Sequence, residues 1–426
     1  MDRLNTLEEL ICQEITGTGP ITFARYMELA LYHPTLGYYS GGEEGHEPVG
    51  WSGDYFTSGD VHPLWGQTIA RQLHQMWELL GKPHPFEIVE PGAGRGLLAR
   101  DVCQYAAERA PDWAQALRYT LVDRARPDSP LWMARQKRLW ATLDAIHLPA
   151  NMVRMISDLE VHDPPEGFTG CVVSNELVDS LPTHILQKQG DSLAEVFVTV
   201  DGSGRHLIET LSEPSSPETA DYLDRFGIPW REYPEFWRCE VCLAARAWLL
   251  QAAARLRRGY VLTIDYGSTA RDLYTPGRRR GTLVAYARHQ MNESPLAQPG
   301  LQDITAHVNF TELIDAGRDA GLETLGLTSQ AEFLGRLGIR EEARRLASHL
   351  YPYADTERHT DRGQSDYLRQ RTLLSAVSIL LDPGGLGAFQ VLVQQRQVPP
   401  EGRDLLGLMA ATPLSPEMIP APTSLR

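Results

Sequence analysis

A short apolar stretch, Phe86-Glu87-Ile88-Val89-Glu90, runs straight into Pro91-Gly92-Ala93-Gly94-Arg95-Gly96, and an apolar-spaced segment follows from Leu97 to Arg109. Glycines at alternate positions let a backbone turn sharply and come close to a ligand, because they carry no Cβ. Strand, glycine loop and helix in that order place the loop at the carboxyl end of a strand, where open α/β sheets bind ligands. The alternation continues along the chain. Leu117–Asp123 reads as a second strand, Ser129–Leu143 as a second helix, Met152–Ile156 as a third strand, Cys171–Ser174 as a fourth and Tyr260–Asp265 as another. These strands are near-continuous apolar runs, as expected when both sheet faces are covered. The fold class that follows is α/β, with a doubly wound, mostly parallel sheet.

Around that core the pattern is less regular. The first 80 residues read as an N-terminal helical cap: a short helix over Ile21–Tyr32, a Gly-rich flexible loop over 37–53, and a helix from His62 to Leu80 stopped by Gly81 and Pro83. The core spans 81–270, with a loop insertion near 185–235 that holds a hairpin over His184–Val200 and a Ser/Glu/Pro-rich loop over 201–220. A long helix is expected from Phe236 to Arg257. Residues 271–365 read as an insertion or lid, 366–396 as a helix and strand that complete the core, and 397–426 as a flexible tail.

Composition narrows the function classes. Among 426 residues, 40 are Lys or Arg and 55 are Asp or Glu, a net charge of −15, which argues against a nucleic-acid partner because phosphate binding needs a basic face. No apolar run approaches the ~20 residues that span a bilayer, so membrane insertion is not expected. The first residues, MDRLNTLEELICQEI, lack the basic and apolar regions of a signal peptide and are too acidic for a transit peptide, which suggests a cytoplasmic protein. The five cysteines are an odd number that fits a reducing compartment. Cys239 and Cys242 form a CxxC without the second pair a zinc site needs, and they read as structural thiols inside the expected helix. No metal site is expected.

The glycine loop is GxGxG with an acid just ahead of it, rather than the GxGxxG of dinucleotide sites. That variant suits a nucleoside without a pyrophosphate, and S-adenosylmethionine is the natural candidate. A structural turn and a nicotinamide or flavin site are the alternatives. In the first reading Glu90 lies near the methionyl ammonium, Gly92, Gly94 and Gly96 shape the cradle, and Asp123 accepts from the ribose hydroxyls. Asp158 and Asn175, after the third and fourth strands, join this set, as do Asp54 and Thr57 from a loop able to fold over the cofactor. A second constellation, Ser174-Asn175-Glu176-Leu177-Val178-Asp179-Ser180-Leu181-Pro182-Thr183-His184, begins beside the glycine loop across the sheet. Glu176 and Asp179 are three apart and can share one face of a helical turn, either to orient a cation or serve as a base, or simply to cap the helix.

The chain resembles the MidA-like family of class I methyltransferases over roughly residues 20–395. The likeness is carried by ARYMELALYHPTLGYYS (24–40), GDYFTS (53–58), VEPGAGRGLL (89–98), SNELVDSLPTHIL (174–186), DYG (265–267), GTLVAYARHQ (281–290), QDITAHVNFTEL (302–313) and DPGGLGAFQVL (382–392). The resemblance implies a Rossmann-like methyltransferase core with added helical elements, S-adenosylmethionine as donor and S-adenosylhomocysteine as product. The family's mitochondrial member methylates an arginine of a respiratory complex I subunit. Against the family pattern ELGPGRG this loop reads EPGAGRG, and the family's Pro-Glu after the TS element is Gly59-Asp60 here. Glu176, Asp179, Pro182 and His184 match the family's helix start.

Methyl transfer needs a nucleophile held ~3 Å from the sulfonium methyl and in line with it. For an arginine acceptor the expected catalytic residues are Glu176 and Asp179, pairing with the guanidinium, and His184, taking the released proton or bracing the acids. The partner is then a protein with a target arginine. The rival readings are a small-molecule O- or N-methyltransferase and a non-catalytic assembly factor that keeps the fold. A homodimer is compatible with any of them.

Overall fold

The computed structural model describes residues 3–40, 50, 53–124, 130–144, 152–159, 167–287 and 290–409. Its centre is a seven-stranded sheet built from β1 (Phe86–Pro91), β2 (Leu117–Val122), β3 (Val153–Ile156), β4 (Phe168–Asn175), β8 (Leu256–Asp265), β11 (Glu323–Ser329) and β12 (Gln390–Arg396). Their order across the sheet is β11-β12-β8-β4-β1-β2-β3. All neighbours from β8 to β3 run parallel, and β12 runs antiparallel to both β8 and β11.

Successive side chains on a strand point to opposite faces, so each strand feeds two cores. Ile88, Cys171, Val173, Tyr260, Leu262, Val391 and Val393 pack into one. Val89, Val172, Val261 and Leu392 pack into the other. The first core is closed by helices α3 (Leu64–Leu79), α4 (Leu97–Arg109) and α5 (Pro130–Asp144), through side chains such as Leu73, Val102 and Leu139. The second is closed by α7 (Leu243–Arg255) and α8 (Phe310–Asp319), through Leu249, Phe310 and Leu313. Fully burying one such side chain is worth about 1.5–3 kcal/mol. The apolar runs seen in the sequence are therefore the centre of a two-sided sandwich, as the α/β expectation required.

A second, antiparallel sheet carries the N-terminal segment. β5 (His184–Gln189) and β6 (Ser192–Val200) form the expected hairpin, and β7 (Arg238–Val241) joins β5 on its other side. Residues Ile21–Thr22 pair with Phe197–Val198 of β6. Helices α1 (Arg3–Thr18) and α2 (Phe23–Tyr32) bury Leu7, Ile11, Phe23 and Met27 against Ile185, Val196 and Val198. The side chain of Thr22 caps α2 by accepting from the Arg25 N–H at 3.1 Å. The same core takes Ala285 of β9 (Val284–Ala287) and Ile304 of β10 (Asp303–Thr305), an antiparallel pair.

Several expectations change here. The long helix expected over 236–257 begins only at Leu243, because Cys239 and Val241 of β7, with Trp237 just before it, alternate into a core. The CxxC thus lies at a strand-to-helix junction. Burial pushes the Cys239 thiol well up and the Cys242 thiol to about 12, so neither is a thiolate. The polar loop expected over 201–220 contains a strand, Leu207–Ser212, paired to β6, and the start of helix α6 (Pro217–Arg225), capped by Ser216. That strand is mostly exposed and shows no apolar alternation, which hid it. Residues 271–365 are not an inserted lid as a whole: they supply α8 to the second core and β11 to the main sheet. From 397 to 409 the chain is docked rather than loose, with Leu405 and Leu408 buried and the Gly407 N–H donating to Gln72 Oε1 at 2.9 Å. The remainder of the expected tail, 410–426, and residues 41–49 of the Gly-rich loop lie outside the described residues.

Candidate active site

At the carboxyl ends of β1 to β4 the chain opens a cleft of about 1400 Å³, solvent at its mouth included. That is ample for a nucleoside-sized ligand, since such pockets usually measure ~300–1,000 Å³.

The glycine loop forms one wall, and its three glycines have left-handed backbone. A Cβ on Gly92 would meet Leu177 Cδ1 at 2.6 Å, and one on Gly96 would meet Leu139 Cδ1 at 2.3 Å. Gly94, at φ +51°, has nothing within 4 Å of a Cβ position. Its bare backbone faces the open cleft, the cradle a close-packed ligand requires. Glu90 lies just behind, accepting from the Tyr119 hydroxyl at 2.7 Å. Burial pushes its carboxyl up to about 8, an effect the Tyr119 phenol reduces.

Asp123 and Asp158 line the same cleft. Arg135 Nη1 donates to both oxygens of Asp123, at 2.5 and 2.6 Å, and Arg135 Nη2 donates to the Tyr39 carbonyl at 2.5 Å. This arginine ties the N-terminal segment to the end of β2. Asp158 is exposed on the cleft wall and accepts from Gln251 Nε2 at 3.5 Å.

The cleft floor is made where β4 ends. Asn175 donates from Nδ2 to Glu176 Oε1 at 2.9 Å, while its buried Oδ1 has no hydrogen-bond partner among the described residues. Glu176 sits at φ +51°, a rare conformation for a residue with a side chain. Its N–H donates to the Ile264 carbonyl at 2.9 Å, and its Oε1 also accepts from the Ser58 N–H at 3.0 Å. Burial pushes Glu176 up to about 7, with the two N–H donors opposing and Asp179 adding to the shift.

What holds this unusual corner is Asp265, at the end of β8. Its Oδ2 accepts from the N–H groups of Leu177, Val178 and Asp179 at 3.2, 2.9 and 3.3 Å, and its Oδ1 accepts from Tyr266 N–H at 2.9 Å. Sequence reasoning missed this residue. Its signal was DYG (265–267), an acid where an apolar strand stops.

Four expected site residues do not line the cleft, and Gly96 is one, its Cβ position turned against Leu139 and Leu121 of the core. Glu176 and Asp179 do not share a helical face, because the chain turns through a left-handed residue and then a tight turn over Val178–Ser180. Asp179 instead accepts from the Tyr266 hydroxyl, lines a separate small cavity, and is pushed up to about 6 by burial. His184 lies on β5 with Nδ1 2.7 Å from Glu195 Oε1, and lines neither cavity. Asp54 is buried against the Tyr38 hydroxyl at 2.9 Å and does not line the cleft. Thr57 does line it, and its N–H and hydroxyl both donate to Asp60 Oδ2 at 2.9 Å. Tyr32, Tyr39 and Tyr55 also line the cleft and carried no expectation, since they lie far in sequence from the glycine loop. Among the described residues no group of three or more His, Cys, Asp or Glu side chains is arranged to hold a metal ion, and no helix is long and apolar enough to cross a membrane.

A family model of S-adenosyl-L-methionine-dependent methyltransferases matches residues 68–328. The Caenorhabditis elegans homologue of the mitochondrial protein arginine methyltransferase NDUFAF7 is 28% identical over 360 residues, covering 81% of this chain and 79% of the relative. The human NDUFAF7 protein is 25% identical over 410 residues, covering 90% of this chain and 82% of the relative. A Burkholderia thailandensis protein, described as a candidate methyl transferase and crystallised with S-adenosyl-homocysteine, matches with a TM-score of 0.80 at 31% identity, covering 96% of this chain and 95% of that one. The curated relatives are mitochondrial proteins, which overturns the cytoplasmic expectation. The acidity of the first residues was too little to name a compartment. A bare glycine cradle and an orphaned amide oxygen suit the ligand that the crystallised neighbour holds, and with the family model spanning more than half of its length, the chain belongs to the MidA-like class I methyltransferases and uses S-adenosyl-L-methionine.

Proposed function

We propose that the chain methylates a nitrogen of an arginine side chain in a protein. The relatives named protein arginine methyltransferases support this acceptor. The observation that carries it is the Glu176 carboxylate, fixed on the cleft floor by Ser58 and Asn175.

Bound S-adenosylmethionine supplies a methyl group already activated on a sulfonium. On this reading Glu90 faces the donor's ammonium, the backbone at Gly92 and Gly94 packs along it, Gly96 lets the loop close against Leu139, and Asn175 offers its spare oxygen. Thr57 and Asp158 border the same ligand. Asp123 accepts from the ribose, and Arg135 sets its orientation while lone pairs remain for the hydroxyls. Glu176 pairs with the acceptor guanidinium through charge-assisted hydrogen bonds. That pairing draws positive charge to one side and leaves the far nitrogen to attack. After attack the nitrogen releases a proton, and a carboxylate poised near 7 is matched to receive it. Asp179 and Asp265 act behind Glu176 by holding its turn, and His184 has no part in the chemistry.

Substituting Glu176→Gln tests the assignment. Turnover of a labelled methyl into protein is expected to fall roughly 10²–10⁴-fold, with S-adenosylhomocysteine affinity within about threefold of wild type, a change under ~1 kcal/mol. Loss of both together would place Glu176 in the donor site and remove this reading of it.

A further inference from the structure

The cleft is also lined by residues to which the donor reading gives no role. Tyr32, Tyr39 and Tyr55 line it together with Glu176 and Ser180. Tyr32 comes from the last turn of α2, and its ring stacks on that of Tyr39 with centroids 5.5 Å apart. The Tyr32 hydroxyl donates to the Ser180 carbonyl at 3.0 Å. The Tyr39 hydroxyl donates to Asp303 Oδ1 at 2.7 Å, and the Tyr39 and Tyr55 hydroxyls are 3.3 Å apart. Asp303 is buried at the start of β10.

The order of these bonds sets their polarity. A phenol has one proton to give. When Asp303 is ionised the Tyr39 proton is committed to it, so the bond between the two phenols is donated by Tyr55. The oxygen of Tyr55 is then left with lone pairs and no proton to offer. The wall therefore presents acceptors to the cleft. A guanidinium has five donors and no acceptor, so a carboxylate on one side leaves further N–H groups unsatisfied. A ring face also attracts a cation, and Arg124 already sits over Tyr32 at 5.5 Å. Burial pushes Asp303 up to about 8, and a cation bound nearby favours its charged form.

We propose that Tyr39 and Tyr55, keyed by Asp303, form the acceptor wall of the active site and select a cationic, donor-rich side chain across from Glu176. The proposal rests on the arginine reading above and adds how the acceptor is chosen. Neutral acceptors of the same shape are rejected because they bring no charge to the ring faces and the buried carboxylates.

The test uses the full chain saturated with S-adenosylhomocysteine, titrated with Nα-acetyl-arginine methylamide and with the citrulline analogue, its neutral isostere. Wild type is expected to bind the arginine compound at least about tenfold more tightly. Tyr55→Phe keeps the ring and removes only the hydroxyl; it is expected to weaken arginine binding about 10- to 100-fold, the worth of a hydrogen bond to a charged group. It should weaken citrulline binding less and leave S-adenosylhomocysteine binding unchanged, which a purely structural role would not do. Equal binding of the two compounds, binding of neither, or an unaltered preference in Tyr55→Phe overturns the proposal. A parallel assay of labelled methyl in protein hydrolysates separates the two claims. Methylarginine with an unaltered Tyr55→Phe preference removes the wall and keeps the arginine reading. A Tyr55-dependent preference with the label on another residue keeps the wall and removes the arginine reading.

Discussion

Glu90 and Glu176 sit at the ends of adjacent strands, and burial raises both, yet they are buried for different partners. Among the described residues Glu90 has the Tyr119 phenol as its hydrogen-bond partner and no ion pair, so an ammonium arriving at the donor end would be its first cationic partner there. Its folded value of about 8 lies above the ordinary glutamate value of 4.5. The folded chain therefore holds a proton there that the unfolded chain releases, and folding stability contributed by this group is lost as pH rises from about 4.5 towards 8. A ligand cation prefers the ionised form, so binding below that upper value should release a proton. Calorimetry of S-adenosylhomocysteine binding in buffers of different ionisation enthalpy should detect the release at pH 7. In Glu90→Gln the release should vanish, affinity should fall at least about tenfold, and the apo protein should unfold no more easily. Proton release that persists in Glu90→Gln would assign it to another group.

At the scale of elements, the site is a corner between β4 and β8, where one carboxylate satisfies three successive backbone donors. Asp265→Ala strips those donors of their acceptor. An unsatisfied buried polar group costs about 1–3 kcal/mol, and the loss falls on the turn that holds Glu176. Urea unfolding should show that loss, and turnover should fall by more than the stability change accounts for. Equal activity per folded molecule would mean that the corner holds its shape without Asp265. Much of this region was legible in the sequence. Strand, glycine loop and helix were fixed by apolar runs and by glycine's freedom at 92, 94 and 96, and Glu176 stood out as an acid at a strand end. The orientation of Asp179 was not legible. A spacing of three implies a shared face only inside a regular helix, and the left-handed backbone at Glu176 breaks that geometry. His184 misled for a related reason: its neighbours in sequence enter a hairpin whose cross-strand partner, Glu195, takes its ring nitrogen. The tyrosine wall depends on packing between segments more than 100 residues apart, such as Tyr39 against Asp303, and no local pattern reports that.

On the scale of the whole molecule, the cleft draws on α2, the loop before α3, the ends of four main-sheet strands and the turn held by β8. The antiparallel sheet is what carries α2 and its tyrosine to the mouth of the parallel one. Removing residues 3–32 would expose the apolar surface of Val196, Val198 and Ile304. Such a truncation is expected to aggregate rather than yield a donor-binding core, as sedimentation of the expressed protein would show. A soluble, S-adenosylhomocysteine-binding fragment would instead make the N-terminal segment a separable cap.

The strand order also has a consequence in time. β12, at residues 390–396, inserts between β8, at 256–265, and β11, at 323–329. A ribosome releases β8 long before its neighbour on that side exists. Through that interval β8 offers a bare row of backbone donors and acceptors flanked by apolar side chains, the template on which nascent chains stick to one another. Donor pocket and acceptor wall alike wait on a sheet whose second strand from one edge is the last to be made, so chaperone demand for this protein should peak late in its synthesis.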